Sequence, residues 1–81
     1  MNQYIATFFS HFGAIRYKKI CDGRGAKAKI MPVPRSLSSS CGTCVSYEND
    51  EYIIDESFVD EIEKIVCDVD GAYTTVYEAR E

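Results

Sequence analysis

The spacing of apolar and polar positions changes several times along the chain, as expected of strands that alternate with helices. Tyr4 to Phe9 is rich in aromatic and β-branched residues and holds no turn residue, which is typical of a strand buried on at least one face. From Ser10, a favourable N-cap, apolar residues recur at helical spacing, and basic residues occupy the other side. The pattern predicts a first strand and then a helix that ends at Gly23 or Gly25.

The middle of the chain predicts two more strands. Apolar residues alternate with lysines in the second strand, which comprises Lys27, Ala28, Lys29, Ile30 and Val33. Thr43 to Tyr47 predicts a third strand. The polar residues that follow, Glu48 to Glu51, predict a solvated turn.

The most regular spacing lies between residues 58 and 69. Its apolar residues recur at i, i+3 and i+4, the spacing of one helix face: Phe58, Val59, Ile62, Ile65, Val66 and Val69. Four charged residues are expected to face water on the other side: Asp60, Glu61, Glu63 and Lys64. Asp55 or Ser57 can cap this second helix, and Asp70-Gly71 ends it. Ala72 to Glu78 then alternates as a fourth strand.

The order β-α-β-β-α-β over 81 residues predicts a single α+β domain, residues 1–81, with the ferredoxin-like split βαβ fold. We expect a four-stranded antiparallel sheet in the order 4-1-3-2 with both helices on one face. This topology would bring the start of the first helix, the loop before the third strand and Cys67 to one edge, with Cys21 at the other. The expected core consists of residues from both helices and two strands: Phe58, Ile62, Ile65, Val66, Ala14, Tyr17, Ile5 and Val45.

Residues 32–44 carry the candidate chemistry, and they read Pro-Val-Pro-Arg-Ser-Leu-Ser-Ser-Ser-Cys-Gly-Thr-Cys. Prolines hold the residues before them extended, and serines favour a sharp turn. Cys41 and Cys44 are therefore expected in a polar turn where a thiol can be reached. A helix N-terminus beside Cys41, together with His11 and Arg35, would stabilise a thiolate. These residues describe a nucleophilic sulfur site, whereas Cys21 and Cys67 fall near apolar stripes and are expected to be packing residues.

Charge and hydropathy narrow the classes of partner. The chain has 9 basic and 13 acidic residues and a net charge of -4, which argues against nucleic acid or an anionic membrane as the main partner. No apolar run approaches the ~18 residues needed to cross a bilayer. Met1-Asn2-Gln3 lacks the charged region that opens a signal peptide. We therefore expect a cytoplasmic protein whose four cysteines are reduced.

The segment from Pro32 through Ser39-Ser40-Cys41-Gly42, after a strand and a Phe-x-Ser-x-x-x-Ala helix start, resembles the selenium/sulfur carrier-like family DUF3343. The resemblance extends from about Tyr4 to Tyr77. It implies that Cys41 is the carrier thiol and that Gly42 is the small neighbour that lets a partner approach. Arg35, Ser39 and Ser40 would form the surrounding polar loop. The implied partners are a desulfurase-like donor of sulfur or selenium and an acceptor protein, and no cofactor is expected.

Three classes of function stay open at this point. The first is a carrier, rather than a stand-alone enzyme, that holds a persulfide or selenosulfide on Cys41. The second is a small thiol-disulfide redox protein that uses Cys41 and Cys44. The third is a cysteine-rich metal-binding module, for which the conceivable cluster is Cys41, Cys44, His11 and Cys67.

Several individual residues also have two interpretations. Cys44 is either a resolving thiol or a packing residue at the start of the third strand. His11 is either an ordinary residue of the helix start or a participant in the site. A sheet face that bears Tyr73 and Tyr77 could pair with a second copy, which makes a homodimer a further expectation.

Overall fold

The computed structural model describes residues 1–37, 39–57 and 59–79. Within these ranges it contains five strands and one α-helix: β1 Asn2–Phe8, α1 His11–Gly23, β2 Lys27–Pro32, β3 Thr43–Asn49, β4 Ile62–Val69 and β5 Ala72–Glu78. A 3-10 turn, Val59–Glu61, precedes β4. The strands form one sheet in the order β2-β3-β1-β4-β5, and every neighbouring pair is antiparallel. No helix in the described ranges has the length and apolar character required to cross a membrane.

The first half of the chain and the last strand are close to their predicted positions. The hydroxyl of Ser10 caps α1 and accepts the Gly13 N–H at 3.2 Å. The helix ends at Gly23, and Gly25 has a φ of +79°, a conformation that favours glycine. Neighbouring strands β2, β3 and β1 have the predicted order, and β5 has the predicted bounds.

The ferredoxin-like prediction, with two helices and four strands, is wrong. The segment predicted as a second helix forms β4, which pairs with β1 along its length. The last strand, predicted to lie beside β1, pairs with β4 instead and becomes an edge of the sheet. Across the residues that the structure describes, the fold is therefore a five-stranded antiparallel sheet with one helix.

A β-bulge in β4 explains why this strand has the spacing of a helix. Thr7 is opposite Lys64 and Phe8 is opposite Ile62, so Glu63 is an extra residue between two paired positions. The extra residue brings Ile62 and Ile65 to the same face, although they are three positions apart. Val66 is buried on the other face. Burial on both faces and one bulge together reproduce the i, i+3, i+4 pattern.

Both faces of the sheet carry buried apolar residues. The face under α1 holds the larger cluster, which includes Tyr4, Ala6, Phe8, Ala14, Tyr17, Val45, Tyr47, Ile53, Ile62 and Ile65. The other face holds Ile5, Cys44 and Val66, against which Met31, Val33, Leu37 and Tyr73 pack. The predicted core residues are thus buried, with Ile5 and Val66 on the second face, and Phe58 lies outside the described residues.

Two buried tyrosines attach the connection between β3 and β4 to the helix. The hydroxyl of Tyr17 donates to the carbonyl of Ile53 at 2.6 Å, and the hydroxyl of Tyr47 accepts the Ile53 N–H at 3.0 Å. The two hydroxyl oxygens are 2.9 Å apart. Burial raises the pKa of Tyr47 to about 12 and raises that of Tyr17 as well. The network satisfies both polar groups of Ile53 in the core.

Candidate functional site

Cys41 lies in the loop between β2 and β3. This loop is at the end of the sheet where β1 ends and α1 begins, which we call the Cys41 edge. Its side chain is half-buried. Gly42 follows it with a φ of +73°, a left-handed conformation that a residue with a side chain rarely adopts. The carbonyl of Gly42 accepts the Val33 N–H at 3.1 Å, which joins the two ends of the loop. Gly42 therefore has a structural reason to be glycine, beside the role that the resemblance implies.

The two serines before Cys41 are attached to two different strands. The hydroxyl of Ser39 donates to the carbonyl of Phe8 in β1 at 3.4 Å. Ser40 donates twice to Glu63 of β4: its N–H to Oε1 at 3.1 Å and its hydroxyl to Oε2 at 2.9 Å. The loop is thus held at consecutive residues by neighbouring strands of the sheet.

The thiol of Cys41 has its own contact with the beginning of β3. It donates to the carbonyl of Thr43 at 3.4 Å, and the hydroxyl oxygen of Ser39 lies 4.0 Å from the sulfur. The hydroxyl of Thr43 is 2.9 Å from Nδ1 of His11, the first residue of α1. The structure therefore brings the helix start and the Cys41 loop to the same edge, as predicted, with Thr43 as the partner of His11.

Cys44 differs from Cys41 in burial and in position. It belongs to the apolar cluster on the second face, whereas Cys41 packs against the cluster under α1. Its thiol donates to the carbonyl of Pro32 at 3.7 Å. Burial, with a smaller contribution from the negative charge of a Cys41 thiolate, raises the pKa of Cys44 to about 11. Such a thiol stays protonated at neutral pH, which favours the packing interpretation of Cys44.

The other two cysteines lie away from this edge. Cys21 is buried in α1, and burial, reinforced by Asp22, raises its pKa to about 12. Its carbonyl accepts the Ala26 N–H just before β2 begins, so it lies at the far edge, as predicted. Cys67 was expected at the Cys41 edge, and this is wrong: in β4 it lies opposite Tyr4, toward the beginning of β1. It packs against the cluster under α1.

Two loop residues named from the sequence have different environments. Arg35 lies in an exposed turn in which the Leu37 N–H donates to the carbonyl of Pro34 at 3.0 Å. Leu37 is half-buried and packs against the second cluster. Ser38 lies outside the described residues.

The metal alternative lacks support, because the described residues contain no group of three or more His, Cys, Asp or Glu side chains placed to hold a metal ion.

Sequence reasoning missed two residues that contact the loop. Glu63 was expected on the solvent face of a helix, and this is wrong because the segment is a strand with Glu63 at the bulge. For Thr43 the sequence indicates only the first residue of a strand. The run of serines was the one available signal, since hydroxyls and N–H groups in a turn need acceptors. It could not indicate which residue supplies them.

The edge of the sheet thus defines a class of small α+β protein with a loop cysteine held against its central strands. Residues 3–78 match the model of a family described as Putative Se/S carrier protein-like, and the chain belongs to that family. The resemblance of the Cys41 segment to this family is confirmed. No curated protein and no solved structure matches the chain.

Proposed function

We propose that this chain carries sulfur or selenium on Cys41, as a persulfide or a selenosulfide. The observation that carries the proposal is the contrast between the cysteines. Cys41 lies in a loop and is only half-buried, whereas Cys21 and Cys44 are buried and have raised pKa values. Cys67 is flanked by strands on both sides, opposite Tyr4 and Thr74. Access favours Cys41 as the nucleophile.

The proposed transfer requires no external oxidant. The thiolate of Cys41 attacks the terminal sulfur of a persulfide on the donor, and the donor's own sulfur leaves as a thiolate. The proton of the Cys41 thiol goes to that leaving thiolate. An acceptor thiolate then attacks the terminal sulfur on Cys41 and regenerates the Cys41 thiolate. Selenium in place of the terminal sulfur follows the same steps and gives a selenosulfide.

The proposed partners are a desulfurase-like donor enzyme and an acceptor protein, both of which would dock at the Cys41 edge. His11 and Arg35 are exposed there, and Phe12 is 62% exposed beside His11. A carrier must release its partners quickly, which a small contact surface allows. The proposed compartment is the cytoplasm, where thiols are kept reduced.

The redox alternative is weaker on geometric grounds. A Cys41–Cys44 disulfide would join two sulfurs that pack on opposite faces of the sheet. All four cysteines are free, and Cys44 would have to leave its buried cluster in order to react. A disulfide also needs closely spaced, converging Cβ atoms. We therefore favour the carrier.

Intact mass spectrometry tests the proposal. The full chain is incubated with a cysteine desulfurase and cysteine, and the expected product is heavier by one sulfur atom. Cys41→Ser should abolish this gain. Cys67→Ser is the matched control, because Cys67 is also half-buried, and it should retain the gain. Retention of the added sulfur by Cys41→Ser would refute Cys41 as the carrier thiol.

A further inference from the structure

Glu63 of β4 makes side-chain contacts that strand pairing does not require. Its backbone carbonyl accepts the Ala79 N–H at 2.9 Å, which holds the end of β5. Its side chain is half-buried, and its two carboxylate oxygens accept both donors of Ser40. Because Glu63 is the extra residue of the bulge, a regular strand would direct its side chain differently.

We propose that Glu63 is a positioning residue that holds the Cys41 loop in the conformation on which donor and acceptor dock. This inference rests on the proposed carrier function. A carboxylate that accepts two hydrogen bonds from one residue restrains both its backbone and its side chain. Ser40 immediately precedes Cys41, so the restraint acts directly on the placement of the sulfur.

Glu63 acts on Ser40 rather than on the sulfur itself. Both of its carboxylate oxygens accept from Ser40, whereas the Cys41 thiol donates to the carbonyl of Thr43. The benefit of Glu63 must then come from order: a loop that is already placed loses less conformational entropy when a partner binds. Glu63 would thus assist docking without changing the intrinsic reactivity of the thiol.

The test compares Glu63→Ala, Glu63→Gln and the control Glu48→Ala, in which an exposed glutamate at the far end of β3 is removed. In transfer from a cysteine desulfurase supplied with cysteine, Glu63→Ala should raise the KM for the carrier about fivefold and leave kcat within about twofold, because the cost falls on docking. Alkylation of Cys41 by iodoacetamide should keep its wild-type rate, because the contacts of the Glu63 side chain are with Ser40. Glu63→Gln keeps an acceptor for the Ser40 N–H, so its KM should lie close to that of the wild type.

Hydrogen exchange provides a second readout that does not depend on sulfur transfer. The amides of residues 39–42 should exchange about tenfold faster in Glu63→Ala, since the Ser40 N–H loses its acceptor. Unchanged exchange, or an unchanged KM, would overturn the proposal, and so would a KM increase that Glu63→Gln does not reverse. If the wild type accepts no sulfur, the carrier function fails, and the exchange experiment still decides whether Glu63 holds the loop.

Discussion

Cys41 and Cys44 are three positions apart in the sequence, yet their side chains pack on opposite faces of the sheet. The left-handed turn at Gly42 ends the loop, and β3 begins one residue later at Thr43. Cys44 is therefore already a strand residue, whereas Cys41 stays in the loop. The CxxC spacing therefore places the two thiols against different clusters, and Cys44 is the more deeply buried of the two.

This difference predicts the order of alkylation. At about pH 8 iodoacetamide should modify Cys41 before the other cysteines, because a thiol with a pKa of about 11, such as Cys44, has roughly one thiolate per thousand molecules there. Cys21 should be slower still, since its pKa is raised to about 12. Peptide mapping after short labelling times measures the order. Faster labelling of Cys21 or Cys67 would place the reactive thiol elsewhere.

Alkaline pH should destabilise the fold. Burial raises the pKa of Cys44 from 9.0 to about 11 and that of Cys21 to about 12, so the folded protein keeps these protons where the unfolded chain loses them. The contribution of these two protonated thiols to the free energy of unfolding is complete below pH 9.0. It is lost as the pH rises through the folded pKa values. Urea unfolding at a series of pH values should show a level free energy of unfolding up to about pH 9 and a decline above it. The decline should be shallower in Cys44→Ala, and a free energy that stays level up to pH 11 would contradict this account.

Tyr17→Phe should destabilise the protein through unsatisfied polar groups. It removes the hydroxyl that donates to the carbonyl of Ile53 and that lies beside the hydroxyl of Tyr47. The expected loss is about 1–3 kcal/mol, because buried polar atoms are left without partners. For a domain of this size that is a decrease in melting temperature of at least ~4 °C. Tyr52→Phe, at a residue that is 42% exposed, is the control and should melt like the wild type.

Ile65 and Val69 distinguish a strand from a helix at residues 62–69. A helix stripe would bury both, whereas in β4 Ile65 is fully buried and Val69 is 57% exposed. Ile65→Ala should therefore cost about 2–5 kcal/mol, as is usual for core truncations. Val69→Ala should cost less than about 0.5 kcal/mol. Equal costs in denaturant unfolding would argue for the helix.

If partners dock at the Cys41 edge, three substitutions should affect sulfur transfer and thermal stability differently. Arg35→Ala should slow transfer from a donor and leave the melting temperature unchanged, because Arg35 is exposed in its turn. Leu37→Ala should slow transfer and also lower the melting temperature, because Leu37 packs against the second cluster. Asp50→Ala should change neither quantity, since Asp50 lies at the opposite edge, where its carbonyl accepts the Asn2 side chain. Full transfer in Arg35→Ala and Leu37→Ala would mean that this loop is not the docking surface.

The positions of α1 and of four of the five strands in the described residues were predictable, because they depend on short-range sequence preferences. Ser10 caps a helix through its own hydroxyl, and Gly23 and Gly25 end it through local backbone preferences. The alternation in Ala72 to Glu78 specifies a strand on its own. The Pro, Ser and Cys residues of the Cys41 segment likewise sufficed to place Cys41 in a loop and to indicate the family to which the chain belongs.

Only the tertiary structure decided the state of residues 62–69 and the partners of the thiol loop. An apolar residue at every third or fourth position suits a helix and also a bulged strand buried on both faces, and the pairing with β1 selects the strand. That pairing also brings Glu63 to Ser40, although they are 23 positions apart. Local sequence preferences cannot specify such a contact, because it depends on which strands become neighbours in the sheet.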